Sequence, residues 1–192
     1  MRCVRAWTVF LLIATIARGA AAGYDSPSGG FAMTPPAGWT TKLEQGEDFP
    51  SIFGPSGDKD APYIVVKGIR DTRDVFEFGD ASVNQMLKNP TYAKNVMDAF
   101  LTADREFGMK CVMSVVVQPQ AAAQNASNAK ATSKQPVLYR QICYFFQGPP
   151  GIMYIMLVVV ADSGWTKYAQ AIDDMARSYH MRPVIAPAQK KP

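Results

Sequence analysis

Histidine is nearly absent from this chain, since its 192 residues include only His180. Zinc sites take three or four clustered His, Cys or carboxylate ligands, and one histidine with two central cysteines does not make such a set. A Ser-His-Asp site would have to use His180, yet no serine lies in a G-x-S-x-G turn. We therefore predict no metal, no cofactor and no hydrolase site, and expect His180 to interact with the C-terminal dipole of the last helix.

The chain also lacks a carboxylate pair in a setting that suits acid–base catalysis. Asp58 and Asp60 lie in a predicted turn, where carboxylates bond the local backbone. Asp173 and Asp174 are predicted to lie on the solvent side of a helix. The glycine-rich segment GPSGDKD lacks the G-x-x-x-x-G-K-[ST] spacing of a phosphate-binding loop. We therefore predict no catalytic residues and a protein that is not an enzyme.

No apolar run is long enough to cross a bilayer, which takes about 20 residues. The N-terminal sequence MRCVRAWTVFLLIATIARGAAAG combines arginines, an apolar run from Ala6 to Ala17 and small residues, a pattern typical of a cleaved signal peptide. Cys3 precedes the apolar run, so the pattern does not predict a lipid anchor. We predict cleavage after Ala22, export to the periplasm or out of the cell, and no transmembrane segment after signal removal.

Excess positive charge is largely missing from the predicted mature chain. The sequence has 20 basic and 16 acidic residues, but Arg2, Arg5 and Arg18 belong to the predicted signal peptide. Their removal leaves 17 basic residues, so the formal charge falls from +4 to +1. Nucleic-acid-binding domains usually have a clustered basic surface, whereas Lys and Arg are scattered here. Nucleic acid is therefore not a predicted partner.

The remaining chain has the length of one domain, because about 170 residues can bury a sizeable single core. We predict a signal peptide at 1–22, a flexible leader at 23–30, a single domain at 31–183 and a tail at 184–192. Within the domain, FAMTPP predicts a short strand that ends at Pro35, since proline cannot donate to a ladder.

A hairpin and then a helix are predicted next. Apolar runs at 49–53 and 63–69 flank a Gly/Pro/Asp cluster, which is typical of a hairpin. The segment from Ser82 to Gln85 fits a capping box, and Asn89 followed by proline is a second helix-start signal. We predict the main helix from about Pro90 to Phe107, before Gly108. Its apolar residues recur at helical spacing: Tyr92, Val96, Met97, Phe100, Leu101 and Phe107.

Three long strands and a closing helix complete the domain. The strand-like runs are MKCVMSVVV from Met109, PVLYRQICYFF from Pro136 and IMYIMLVVVA from Ile152, the last two joined by a QGPPG hairpin. The last run is apolar at nearly every position, which predicts cover on both faces. The polar segment 118–134 is predicted to be a mobile loop. The closing helix has one apolar face: Trp165, Tyr168, Ile172, Met175 and Tyr179.

The order of these elements resembles the PsbP/Mog-like superfamily. The matching residues are the opening GFAMTPPAGW, the IFGP that follows, and the element order as far as Tyr179. The resemblance covers roughly residues 30 to 182. It implies an α+β fold, with a three-layer α/β/α sandwich around a mainly antiparallel sheet, and it implies that Trp39 packs on the sheet edge.

The resemblance implies a binding or assembly protein and no catalytic site. Its partner would be a protein or an envelope component, and neither the partner nor the binding residues follow from any motif. A carrier of a small molecule or lipid in the cell envelope, using the apolar space between sheet and helix, is the alternative.

Cys111 and Cys143 are predicted to form a cross-strand disulfide. The loop between their two strands is centred near residue 127, and 127 is also midway between the cysteines, so a simple antiparallel pairing places them opposite each other. Opposed Cα atoms lie about 4.5 to 5.5 Å apart, which is within disulfide range. Two buried free thiols are the alternative. A redox-active pair is disfavoured because there is no C-x-x-C motif.

Overall fold

The computed structural model describes residues 23–26, 30–43, 49–117 and 136–183. The predicted signal peptide, loop 118–134 and tail lie outside these ranges. The described chain is α+β, with two antiparallel sheets and few helices. Its elements are β1 (Tyr24–Asp25), β2 (Phe31–Met33), β3 (Thr40–Lys42), β4 (Ser51–Phe53), β5 (Tyr63–Arg70), α1 (Val75–Leu87), β6 (Tyr92–Leu101), β7 (Phe107–Val117), β8 (Val137–Gln147), β9 (Ile152–Ala161), a 3₁₀ turn (Asp162–Gly164), α2 (Trp165–Arg177) and β10 (His180–Met181).

The strands form a large sheet of seven and a small sheet of three. The large sheet has the order β3-β4-β5-β9-β8-β7-β6, and the small one has the order β1-β2-β10. The predicted hairpins β4–β5 and β8–β9 are present, and β9 has the predicted start at Ile152. The β8–β9 turn closes with the Ile152 N–H donating to the Pro149 carbonyl at 2.9 Å, and Gly151 takes the positive φ of 79° that the turn requires.

The predicted helix from Pro90 to Phe107 is wrong, because Tyr92–Leu101 forms the edge strand β6 and the chain then turns into β7 at Phe107. The Asn89 side chain accepts from the backbone N–H of Thr91 at 3.1 Å, which makes a turn and not a helix cap. After that turn β6 pairs with β7 along its whole length, with a register shift after Lys94. The expected stop residue, Gly108, lies inside β7, where a Cβ would come within 2.6 Å of the Phe100 ring.

The helix lies earlier in the chain, and Ser82 is in its interior and not at its start. α1 begins after Asp74, whose carboxylate accepts from the backbone N–H groups of Phe76 and Glu77 at 2.8 and 2.9 Å. Ser82 donates its hydroxyl back to the Phe78 carbonyl at 2.8 Å, one turn earlier.

The leader and the opening strand differ from the prediction in one respect. Tyr24 and Asp25 of the predicted flexible leader form β1, which pairs with β2. β2 has its predicted position, but it belongs to the small sheet with β1 and β10. Trp39 is half-buried and packs edge-on against the Tyr168 ring of α2 at 5.9 Å, as predicted for a packing residue.

Two clusters of buried side chains lie on the two sides of the large sheet. Alternate residues of β8 divide between them, since Tyr144 belongs to one cluster while Cys143 and Phe145 belong to the other. The first cluster includes the apolar face of α2 and residues of β2. The second includes the apolar residues of α1. The two helices therefore pack on opposite faces of the sheet.

Candidate functional site

The side chains that the sequence offers for chemistry form bonds within the fold. The first of them is His180. It lies in β10, three residues beyond the end of α2, so the expected contact with the helix dipole is wrong. Its Nδ1 pairs with Asp104 Oδ1 at 2.7 Å, and the other Asp104 oxygen accepts the Met181 N–H at 2.9 Å. The bond to His180, with that of Met181, lowers the pKa of Asp104. Among the described residues, no cluster of three His, Cys, Asp or Glu side chains is placed to hold a metal.

Asp58 and Asp60 occupy the β4–β5 turn, as predicted, and they also hold α2. Asp58 accepts the Asp60 N–H at 2.9 Å inside the turn, and it accepts further bonds from Lys167 and Tyr168 of α2. These two side-chain bonds lower the pKa of Asp58 far below its usual range. Asp60 accepts from the Ser163 hydroxyl at 3.0 Å. Both carboxylates therefore hold the N-terminal end of α2 against the β4–β5 turn.

The prediction for the adjacent acids of α2 is wrong for Asp173 and right for Asp174. Asp174 is exposed and bonds Gln170 on its own helix at 2.7 Å. Asp173 instead turns to the sheet, where it accepts from the Lys110 ammonium at 2.6 Å and from the buried Tyr144 hydroxyl. Burial, followed by the bond to Asp173, raises the pKa of Tyr144, so the phenol stays protonated and donates.

These adjacent carboxylates allow a matched test. We expect Asp173→Ala to lower the free energy of unfolding by about 1 to 3 kcal/mol, because it leaves the buried Tyr144 hydroxyl without its acceptor. Asp174→Ala should change it by about 0.5 kcal/mol or less, as at an ordinary surface position. Urea unfolding at neutral pH measures both. Equal losses in the two variants would contradict the role given to Asp173.

Cys111 and Cys143 are directly opposite each other in the β7–β8 register, as the sequence predicts. Both are fully buried under α1, and the structure has them as free thiols. Burial raises the pKa of Cys143 to about 12 and that of Cys111 above its ordinary value. Neither is therefore a reactive thiolate near neutral pH. The bond between them stays a prediction.

One half of the sheet face on the α1 side is only partly covered by the described helices. On β9, Ile155 and Leu157 pair in register with Phe145 and Cys143, which lie under α1. The same face continues away from the helix, because directly paired residues point to the same side of a sheet. We call this surface the open face. It consists of two residues of β4, four of β5 and three of β9: Ser51, Phe53, Tyr63, Val65, Lys67, Ile69, Ile155, Leu157 and Val159.

The two sides of β5 and β9 differ sharply in exposure. On the α2 side, Ile64 and Met156 are completely buried. On the open face, Tyr63 is 43% exposed, Ile69 39% and Val159 36%, and the other apolar residues are half-buried. Among the described elements, helix α1 lies over β6, β7 and β8. Its cluster reaches Ile155 and Leu157 at the border of the open face and does not include residues of β4 or β5.

A shallow groove of about 390 Å³ runs along the border between α1 and the open face. Its lining is mostly apolar: Arg73, Ala81, Ser82, Gln85, Met86, Ile155 and Leu157. The hydroxyl of Ser82 is used within the helix, and the Gln85 side chain accepts from Lys88 at 2.8 Å. The groove therefore offers an apolar floor with few free polar groups.

Cations border the open face and carboxylates are absent from its strand positions. Lys67 lies on β5 beside Ile155, and Lys42 of β3 lies over the Phe53 ring at 5.2 Å. At the α1 border Arg73 pairs with Asp71 at 2.6 Å, and its hydrogen bonds lower the pKa of Asp71 to about 2. Arg73 also interacts electrostatically with Glu77 of α1. The excess positive charge beside the open face therefore comes from the two lysines on the strands and not from the α1 border.

Comparison with known proteins shows likeness in fold. No family profile matches the chain, and no curated protein matches it in sequence. Cyanobacterial PsbP (CyanoP) from Synechocystis sp. PCC 6803 is 14% identical, with a TM-score of 0.53 over 84% of this chain and 93% of that one. LpqN, described as involved in cell envelope biogenesis of Mycobacterium tuberculosis, is 13% identical, with a TM-score of 0.48 over 82% of this chain and 86% of that one.

The likeness to CyanoP confirms the predicted PsbP-type resemblance at the level of fold. At this identity it assigns no residue role, and the TM-score of LpqN is too low to carry an argument. In the part of the chain that the structure describes, no helix has the length and hydrophobicity to cross a membrane.

Proposed function

We propose that this chain, which has a PsbP-type fold, is an exported, non-catalytic binding or assembly protein that uses its open face to bind a protein partner. The main observation is the difference in solvent exposure between the two sides of β5 and β9. One side is buried under α2, and the other is largely exposed. Contiguous exposed apolar surface marks interaction sites in soluble proteins. The proposal includes the signal peptide at 1–22, a single domain at 31–183 that is extended by β1, and a three-layer arrangement of α1, sheet and α2.

The sequence of β9 supports this use of the open face. Its nearly continuous apolar run is typical of a strand covered on both faces, and only its α2 side is fully covered. Val159 is apolar, although a solvent-facing position of a strand usually has a charged or polar residue. The missing cover is what a bound partner would supply.

The described ionisable residues support a non-catalytic role. The close groups found there join structural elements: His180 with Asp104, Asp58 with Lys167 and Tyr168, and Asp173 with Lys110 and Tyr144. None of these three sets lines the groove beside α1, and Arg73, which does line it, is paired with Asp71. Their bonds account for their positions without a substrate.

A small-molecule or lipid carrier is the second candidate, and the groove is the observation that favours it. Its volume of about 390 Å³ is near the lower end of ligand sites, which are about 300 to 1,000 Å³. Native mass spectrometry of the purified mature protein separates the two candidates. A carrier retains a ligand mass, whereas a protein-binding module gives the mass of the polypeptide alone.

Site-specific photocrosslinking in the source cells tests the proposed function. A photoreactive phenylalanine analogue replaces Tyr63 on the open face, or Val96 on β6, which is similarly exposed at 45% against 43%. We expect a discrete protein adduct from position 63 that is absent from position 96. Adducts of equal yield at both positions, or none at position 63, would contradict the proposed function.

A further inference from the structure

We infer that the partner segment bound by the open face is an amphipathic α-helix with acidic residues along its flanks. This inference rests on the proposed function and names the chemistry of the partner. It follows from the width, the length and the charge of the open face, which together match a helix lying beside α1.

The sheet already binds one helix in this way. On the same face, α1 packs Val75, Phe78 and Val83 against residues of β7 and β8 such as Met109 and Phe145. Next to it the open face spans β4, β5 and β9. Three strands about 4.8 Å apart cover roughly 10 Å between the outer two, and a helix with its side chains is about 10 to 12 Å wide. The uncovered width is that of one more helix.

The length of the open face agrees with this width. From Tyr63 to Ile69 the β5 strand advances about 20 Å at about 3.3 Å per residue. A helix advances about 1.5 Å per residue, so about 13 residues cover that distance, and α1 itself has 13 residues. The partner segment is therefore a helix of three to four turns.

The positive charge of the open face favours acidic residues on the flanks of the bound helix. Lys67 and Lys42 have no ion-pair partner among the described residues, and the strand positions of this face have no carboxylate. Acidic side chains beside the apolar stripe of a bound helix would lie next to these lysines, which favours association and orients it.

Two other occupants fit less well. A second copy of this chain, packed face to face by a two-fold axis, would place Lys42 and Lys67 of both copies in one interface whose strand positions have no carboxylate. A small amphiphile in the groove would touch Ile155 and Leu157 but leave Tyr63 and Val159 uncovered, since neither lines the groove. A helix covers all four.

A peptide selection tests the inference. The probe is a display library of 16-residue peptides with apolar residues at positions i, i+3, i+4 and i+7 and random residues elsewhere, selected against the full mature chain. We expect enrichment of Asp and Glu beside the apolar stripe. A synthetic copy of the best peptide should gain helical circular dichroism on binding, and should perturb the amide resonances of Tyr63, Lys67 and Val159.

Charge reversal provides the decisive comparison. The double variant Lys42→Glu/Lys67→Glu should bind the acidic peptide at least about tenfold more weakly and should bind a lysine-flanked version better. The control Lys59→Glu/Lys94→Glu makes the same charge change outside the open face and should leave binding nearly unchanged. Peptides without acidic enrichment, binding that ignores the Lys42/Lys67 reversal, or a palmitate probe that perturbs Tyr63 and Val159 while no peptide is selected would overturn the inference.

Failure of this inference and failure of the proposed function are distinguishable. If photocrosslinking at Tyr63 captures a protein whose bound segment is extended, the helical inference is overturned and the binding function stands. If Tyr63 captures no protein, the proposed function and the inference both fall.

Discussion

Oxidised protein is expected to be more stable than the same protein after reduction by about 3.5 to 4 kcal/mol in free energy of unfolding. A Cys111–Cys143 bond closes a loop of about 32 residues, and the chain-entropy model gives this value before any strain is subtracted. The loss is a large share of a typical domain stability of about 5 to 15 kcal/mol. Guanidinium unfolding with and without reductant measures it.

The control for the disulfide is Cys143→Ala, whose stability reductant should not change. Because burial keeps both thiols protonated near neutral pH, we expect the bond to form during folding in an oxidising compartment and not in the folded protein. Non-reducing peptide mapping of exported protein gives the direct result. Thiols at both positions that alkylate without prior reduction would contradict the bond.

Phe31→Ala is expected to lower the free energy of unfolding by about 3 to 5 kcal/mol, the usual cost of removing a buried phenylalanine. Phe31 is fully buried in β2, and its ring packs against Tyr154 at 4.9 Å and Tyr179 at 6.1 Å. It therefore joins the small sheet to the large one. Urea unfolding measures the loss.

The matched control is Phe107→Ala, because Phe107 is 58% exposed and contacts one other ring among the described residues, that of Phe76 at 6.4 Å. We expect a loss of less than about 1 kcal/mol there. A loss in Phe31→Ala as small as the one expected for Phe107→Ala would contradict the role of Phe31 in joining the two sheets.

The long strands and α2 were predictable from the sequence because each has a pattern that only one structure satisfies. A continuous apolar run in β9 and a single apolar face in α2 are such patterns. Residues 90–107 are ambiguous, since Val96 and Phe100 are four apart, and residues four apart share a face in a strand as well as in a helix. Residues 92–101 form a strand because they pair with β7.

Helix α1 has a signal that the prediction overlooked. Asp74 with Glu77 three residues later is typical of a helix start, and the structure begins α1 there. Gly79 lies inside the helix, where a Cβ would be 2.1 Å from Met109 Cε. The glycine allows close packing on β7, which is a tertiary requirement and has no local pattern.

The open face could not be predicted, because it depends on which strands α1 covers. The sequence of β9 predicts cover on both sides, and only the fold reveals that the side bearing Val159 is left open. The bond between the Asp173 carboxylate and Tyr144 could not be predicted either, because it depends on how α2 lies on the sheet.

The most direct test of the open face as a binding surface uses the partner captured at Tyr63. Isothermal titration calorimetry compares its binding to the wild-type chain, to Val159→Asp on the open face and to Val96→Asp on β6. We predict that Val159→Asp weakens binding at least about tenfold, because it buries a charge in the apolar contact, while Val96→Asp leaves binding unchanged. Equal affinities for all three proteins, or equal losses in both variants, would contradict the account.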